Sequence, residues 1–274
     1  MSRLNRRAGE ARSLGASSIN GTNALMTEPH LRGIEKFSSA ITESTQPIVE
    51  KILGEVNREK AIEVMGNILF DEPGERYFGL TPSPKENLLR KILSGFVEIE
   101  STFEVLRDIP FYLMRFPSKH PQVSKTRFLN YHIGNYFNEI YILRERLRSY
   151  QRVIARIYKN DPRLKETRKH IEKFELLVSS FDDIVSLRGK HVHQKRYGDE
   201  DFERLNLYEH SANLDDPIFN RIYPLALREY RKKWLKTFSE NNNTVKIILD
   251  AYFEILYDVV FDKDGNWLEP SNSA

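Results

Sequence analysis

Side chains able to do chemistry are densest in residues 187–197, Leu187-Arg188-Gly189-Lys190-His191-Val192-His193-Gln194-Lys195-Arg196-Tyr197. Two of the chain's seven histidines lie here among four cations. The position of Arg188 adds to the composition. Leu164, Ile171, Phe174, Val178, Phe181 and Val185 recur at steps of seven, three, four, three and four, which predicts one apolar seam on a helix. Three residues beyond Val185 that seam reaches Arg188, where an apolar residue is due. A guanidinium keeps its charge, so a half-buried one needs an anion or several acceptors. A carboxylate from another helix, Glu139 or Glu145, would make the pair purely structural. A bound phosphate would make it functional, with Arg gripping bidentately and imidazole moving protons. A metal at His191-x-His193 is disfavoured, because Arg188, Lys190, Lys195 and Arg196 would repel a dication and further ligands are missing. No metal and no cofactor is expected.

Arg188 and His193 form an Arg-x4-His arrangement near the end of a long helix in an all-helical chain. This resembles the HEPN superfamily (higher eukaryotes and prokaryotes nucleotide-binding) over about residues 124–261. The resemblance implies a four- to five-helix bundle, commonly a homodimer with two copies of the motif facing each other. Many members are metal-independent endoribonucleases of toxin–antitoxin, defence and RNA-processing systems; others bind nucleotides or act only as helical interaction modules. It therefore implies RNA or a nucleotide as ligand, and a protein partner such as an antitoxin or defence subunit. Arg188 and His193 are the residues carried over. Gly189 departs from the Asn, Asp or His that commonly follows the Arg. On an unbroken helix His191 lies nearer the Arg188 face, whereas a turn distorted at Gly189 lets His193 swing in. Both imidazoles stay in the candidate set, with His193 favoured.

The hairpin before the motif is strongly basic. Residues 144–173 carry eleven Lys and Arg against four Asp and Glu, a local +7, whereas the whole chain is only +3. Arg148, Arg152, Arg156 and Lys159 are spaced to form a stripe along one helix face that could track a polyphosphate backbone; a solubilising surface with apolar stems is the alternative. Lys190, Lys195 and Arg196 would extend the cationic surface. Asn135, Asn138 and Glu139 form the least apolar patch of their helix and either face the same cleft or cap a buried polar network.

The elements that must position these groups read as helices throughout. Residues 1–29 are expected to be a disordered tail. Residues 31–107 form an N-terminal helical region in which Pro47 should separate two helices, 71–84 a loop, and a further helix should stop before Pro110. The proline-rich stretch 108–123 is the expected boundary to a bundle at 124–261. There Ser124 precedes a helix with an apolar stripe of Ile133, Phe137, Ile140, Leu143, Leu147, Tyr150, Ile154 and Ile157, and Asn160-Asp161-Pro162 restarts the chain. The polar stretch 194–217 should be a connection, with helices at about 218–239 and 244–261 and a tail at 262–274.

The exclusions are broad. With no cysteine in 274 residues, disulfides, thiol nucleophiles and iron–sulfur clusters are out. Phosphate loops, dinucleotide fingerprints, zinc-protease helices and nucleophile elbows have no match. Asp182-Asp183 is the densest acidic spot and reads as a solvated face. No apolar run is long enough to span a bilayer and the arginine-bearing start lacks a signal-peptide core, so a cytoplasmic protein without membrane attachment is expected. The fold class is all-α: a HEPN-like helical core with extra N-terminal helices.

Overall fold

The computed structural model describes residues 32–55, 83–115, 123–159, 173–179, 181–182 and 200–270. These form six helices: α1 (Arg32–Glu55), α2 (Pro84–Met114), α3 (Lys125–Ile157), α4 (residues 173–179), α5 (Glu200–Asn213) and α6 (Pro217–Val260). The all-α expectation holds. Among the described residues the only extended pairing is an isolated antiparallel bridge between Phe261 and Trp267.

The antiparallel pair α2–α3 carries the candidate site. Its register is fixed by Tyr150, whose hydroxyl donates to the Ile92 carbonyl at 2.8 Å, and by Arg146, which pairs with Glu98 at 2.5 Å and also donates to Thr102. At the far end Tyr112 stacks on His132. The Tyr150 ring lies directly over Gly95, where a β-carbon would collide with it. The apolar stripe read from the sequence is the buried face of α3: Ile133, Phe137, Ile140, Leu143, Leu147, Tyr150 and Ile154 are all in the core. Ser124 caps the helix by accepting from the Arg127 N–H at 3.1 Å.

Five expectations about helix ends are corrected. Pro47 does not split its region, because α1 runs through it. Phe37, Ala40 and Ile41 before it and Ile48 after it pack on the same core, which outweighs one lost backbone bond. Pro110 likewise lies inside α2, between buried Ile109 and Leu113. That helix also starts earlier than expected, at Pro84. Ser83 accepts from the Glu86 N–H at 3.2 Å, and its own N–H donates to the Glu86 carboxylate at 2.6 Å, closing a capping box. The stretch 194–217 is not merely a connection: α5 forms there, with Leu205 and Glu209 buried and Glu200, Asp201 and Glu203 at its electropositive start.

The fifth correction concerns the C-terminal helices, which are one. α6 spans 44 residues, about 66 Å at 1.5 Å per residue. The polar run Glu240-Asn241-Asn242-Asn243 was expected to break it. Instead, Asn242 is drawn into the interior: it accepts from the Tyr136 hydroxyl at 2.8 Å and donates to the Leu106 carbonyl at 3.3 Å. Phe238 and Val245, two turns apart on either side, are both fully buried. The region 31–107 and the bundle 124–261 share one core. Phe37 of α1 and Phe96 of α2 lie against Phe253 of α6, with ring centroids 5.1–5.5 Å apart, and Leu31–Ala274 clusters as one unit. Residues 261–270 fold back onto it: the Leu268 N–H bonds Val260, and Trp267 donates to the Tyr158 hydroxyl at 2.9 Å.

Candidate nucleic-acid interface

Arg188, Lys190, His191, His193, Lys195 and Arg196 lie outside the described residues, as do residues 1–29 and the turn at Asn160-Asp161-Pro162. What the structure places is the basic face of α3 and the first part of the apolar seam, up to Asp182. Phe174, Val178 and Phe181 are buried, as their spacing predicts.

Arg152 and Arg156 of α3, and Lys159 just beyond its C-cap at Tyr158, are exposed at steps of four and three, a spacing that continues one face of the helix. Arg148, one turn earlier, is more committed. Its guanidinium lies 3.3 Å from the Glu145 carboxylate and 3.9 Å from that of Asp182. Arg144 is drawn further in, with a side chain only 15% exposed, and pairs with Asp182 at 2.8 Å. Asp182 is therefore not simply a solvated acid. It fastens the seam beyond α4 to α3 and neutralises the first cations of the run, while the cations further along still face solvent. Glu145, one of the two carboxylates considered for Arg188, is already engaged by Arg148.

Between α3 and α4 opens a cleft of about 430 Å³ lined by Arg148, Gln151, Arg152, Glu175, Val178 and Ser179. It sits where the basic face meets the seam that leads to Arg188. Gln151, Glu175 and Ser179 were not singled out from the sequence. The signal was present in their spacing: Gln151 is one turn from Arg148, and Ser179 one turn from Glu175. Without knowledge of which helix packs on which, those turns could not be matched.

Asn135, Asn138 and Glu139 are not part of this cleft. They lie 9 to 13 positions before Arg148, roughly 14–20 Å along the axis. Asn138 is exposed and Asn135 and Glu139 are half-buried. The interior bond at this level belongs to Tyr136 and Asn242.

The start of α3 is anchored by a buried carboxylate. Glu209 of α5 accepts from the Ser124 hydroxyl at 2.6 Å, the Lys125 N–H at 2.8 Å and the Thr126 N–H at 3.4 Å. Burial alone would raise its pKa. Hydrogen bonds from Ser124, Tyr223, Lys125 and Thr126 outweigh that and hold it below the usual glutamate value. An anion at a helix N-terminus is favoured by the helix dipole as well. A second cleft, between α5 and α6, includes in its lining the 2.7 Å ion pair between Lys233 and Asp201.

Among the described residues no cluster of His, Asp and Glu could hold a metal ion, and no helix is long and apolar enough to cross a membrane. No protein-family model matches the chain, and comparisons with curated proteins and with solved structures give no match.

Proposed function

We propose that this protein binds RNA along the exposed cations of α3 and is a HEPN-like, metal-independent endoribonuclease of the toxin or defence type. The observation that carries the binding half is the line of Arg152, Arg156 and Lys159 facing solvent beside an open cleft. Of the acids of the same region, Glu145 and Asp182 are occupied by Arg144 and Arg148, and Glu175, which lines the cleft with Arg152, is one carboxylate against three cations. A phosphate backbone meets cations at successive turns there, and Lys190, Lys195 and Arg196 add further cations to the proposed RNA contacts.

In the catalytic half, His193 removes the proton of a ribose 2′-hydroxyl. The freed oxygen attacks the adjacent phosphorus, and Arg188 balances the charge that gathers on the phosphoryl oxygens. The P–O5′ bond breaks, the 5′-oxygen takes a proton from a second imidazole, and the products are a 2′,3′-cyclic phosphate and a 5′-hydroxyl. His191, or the second copy of His193 in a homodimer, fills that acid role. Exposed Leu176 on α4 supports a dimer through this side of the bundle. Incubation with single-stranded RNA in chelator tests the reading: cyclic-phosphate ends support it, and intact RNA refutes the nuclease half.

A second reading, a catalytically silent module that holds a protein partner, is favoured by α6. Ile218, Ile222 and Leu225 stand 39–64% exposed along one face, flanked by Arg221 and Arg228. Intact RNA together with stable capture of an acidic partner would select it.

A further inference from the structure

We infer that the end of the bundle where α2 meets α3 is a stacking platform for unpaired RNA bases, built by Tyr112, Phe128, Tyr131 and His132 and flanked by Arg115 and Arg127. The inference rests on the RNA-binding reading and adds to it a base-contacting site that the Arg–His motif and the basic stripe do not include.

The geometry is that of an open aromatic cluster. His132 is the hub, with Tyr112 stacked on it at 5.8 Å and 30°, and Phe128 and Tyr131 edge-on at 4.4 and 5.4 Å. Among the described residues most rings are interior, yet Tyr131 is 65% and Tyr112 51% exposed. Surface aromatics side by side, held at fixed spacing by a partly buried ring, present π-faces that water satisfies poorly. Burial lowers the pKa of His132, so at neutral pH the hub is a neutral ring.

Charge decides the occupant. Arg115 and Arg127 are exposed beside the rings, with Asp108 the exposed acid nearest in sequence. A second copy docked here about a two-fold axis would set these arginines against their own images. A nucleic-acid strand instead offers bases to the rings and phosphates to the guanidinia, the combination used by sequence-tolerant single-strand sites. Continuity favours the same ligand. Arg127, Tyr131 and Asn138 follow one exposed line of α3 on the same side as Arg152 and Arg156, with the half-buried ion pair of Glu145 and Arg148 between. From Tyr131 to Arg152 is about 32 Å, within reach of a strand of roughly 4–16 nucleotides.

The test uses the full chain and two probes of equal length: a labelled oligoadenylate of about 12 nucleotides and its abasic ribose-phosphate counterpart. The Tyr112→Ala/Tyr131→Ala double variant should bind oligoadenylate about 5- to 100-fold more weakly and the abasic probe as the wild type does. Tyr131→Phe should keep nearly full affinity. Should the double variant lose its helical circular dichroism, Tyr131→Ala alone carries the test, because that side chain is mostly solvated. Oligoadenylate binding unchanged in the tyrosine variants but lost in Arg152→Ala/Arg156→Ala/Lys159→Ala overturns the platform and leaves the RNA reading standing. An equal loss for both probes also overturns it, since the contact would then be to phosphate. Tyrosine variants that dissociate a dimer while keeping RNA affinity assign the patch to a second copy. A wild type that binds no oligoadenylate overturns platform and RNA reading together.

Discussion

Replacing Glu209 with alanine removes the carboxylate that holds the first turn of α3. Four donors lose an acceptor: the Ser124 hydroxyl, which can turn elsewhere, the Tyr223 hydroxyl, which has Thr126 Oγ1 at 3.3 Å as an alternative, the Lys125 N–H, and the N–H of fully buried Thr126. A charge-assisted hydrogen bond to a buried group contributes about 1.5–3 kcal/mol, and a buried donor left without a partner costs about 1–3 kcal/mol. The Thr126 contact is long at 3.4 Å and Ser124 retains its bond to Arg127, so the sum falls near 2–4 kcal/mol rather than at the upper limit. For a chain of this size that is a melting-point loss of roughly 4–8 °C. Glu209→Gln keeps an acceptor oxygen and should lose about half as much. Urea denaturation at several pH values gives the sharper assay. The pKa of Glu209 is depressed on folding, so its ionised form stabilises the fold fully above the unfolded value near pH 4.3. That stability disappears as pH falls through the folded value. The gap between wild type and Glu209→Gln should therefore be constant from pH 7 to about 5 and close in stronger acid. A Glu209→Ala variant within about 0.5 kcal/mol of wild type, or a gap that does not change down to pH 3, would refute this account of how α3 is anchored.

Gly95→Ala should destabilise by about 1–3 kcal/mol, because a β-carbon meets the Tyr150 ring, which is pinned by its bond to Ile92; unchanged thermal unfolding would refute that packing. Arg188→Ala should weaken RNA binding and abolish cleavage, whereas His193→Ala should keep affinity and slow cleavage by about 10²–10⁴. His191→Ala should be milder, and equal effects at both histidines in single-turnover kinetics would undo the role assignment. Light scattering should report a homodimer, and a monomer at tens of micromolar would remove the second imidazole from the proposed chemistry.

The helical class and the buried face of α3 were legible in the sequence because a stripe at three- and four-residue steps is a local property of the chain. The Ser124 cap and the seam through Phe174, Val178 and Phe181 were legible for the same reason. Breaks were misread where local rules were overruled by packing. Pro47 and Pro110 would end isolated helices, but each has core residues on both sides. The asparagine run of α6 looks like a turn until Tyr136 of α3 and Leu106 of α2 give Asn242 its partners. The basic face was visible as composition. Which of its members are engaged was not, because Asp182 reaches Arg144 and Arg148 only through the tertiary placement of the chain beyond α4. The aromatic cluster was half-visible: Phe128 and Tyr131 share a side of one helix, but Tyr112 arrives from another.

RNA affinity measured against salt tests the cation face of α3 most directly. Each phosphate neutralised on a single strand contributes about 0.7 to the slope of log K against log salt. Arg152, Arg156 and Lys159 together should therefore account for about 2 units of it. Arg152→Ala/Arg156→Ala/Lys159→Ala should flatten the slope by about that amount, and Arg148→Ala, already held by Glu145 and Asp182, by distinctly less than one contact. A triple variant with the wild-type slope, or a wild type whose RNA binding is absent or indifferent to salt, would contradict the assignment of this face to RNA.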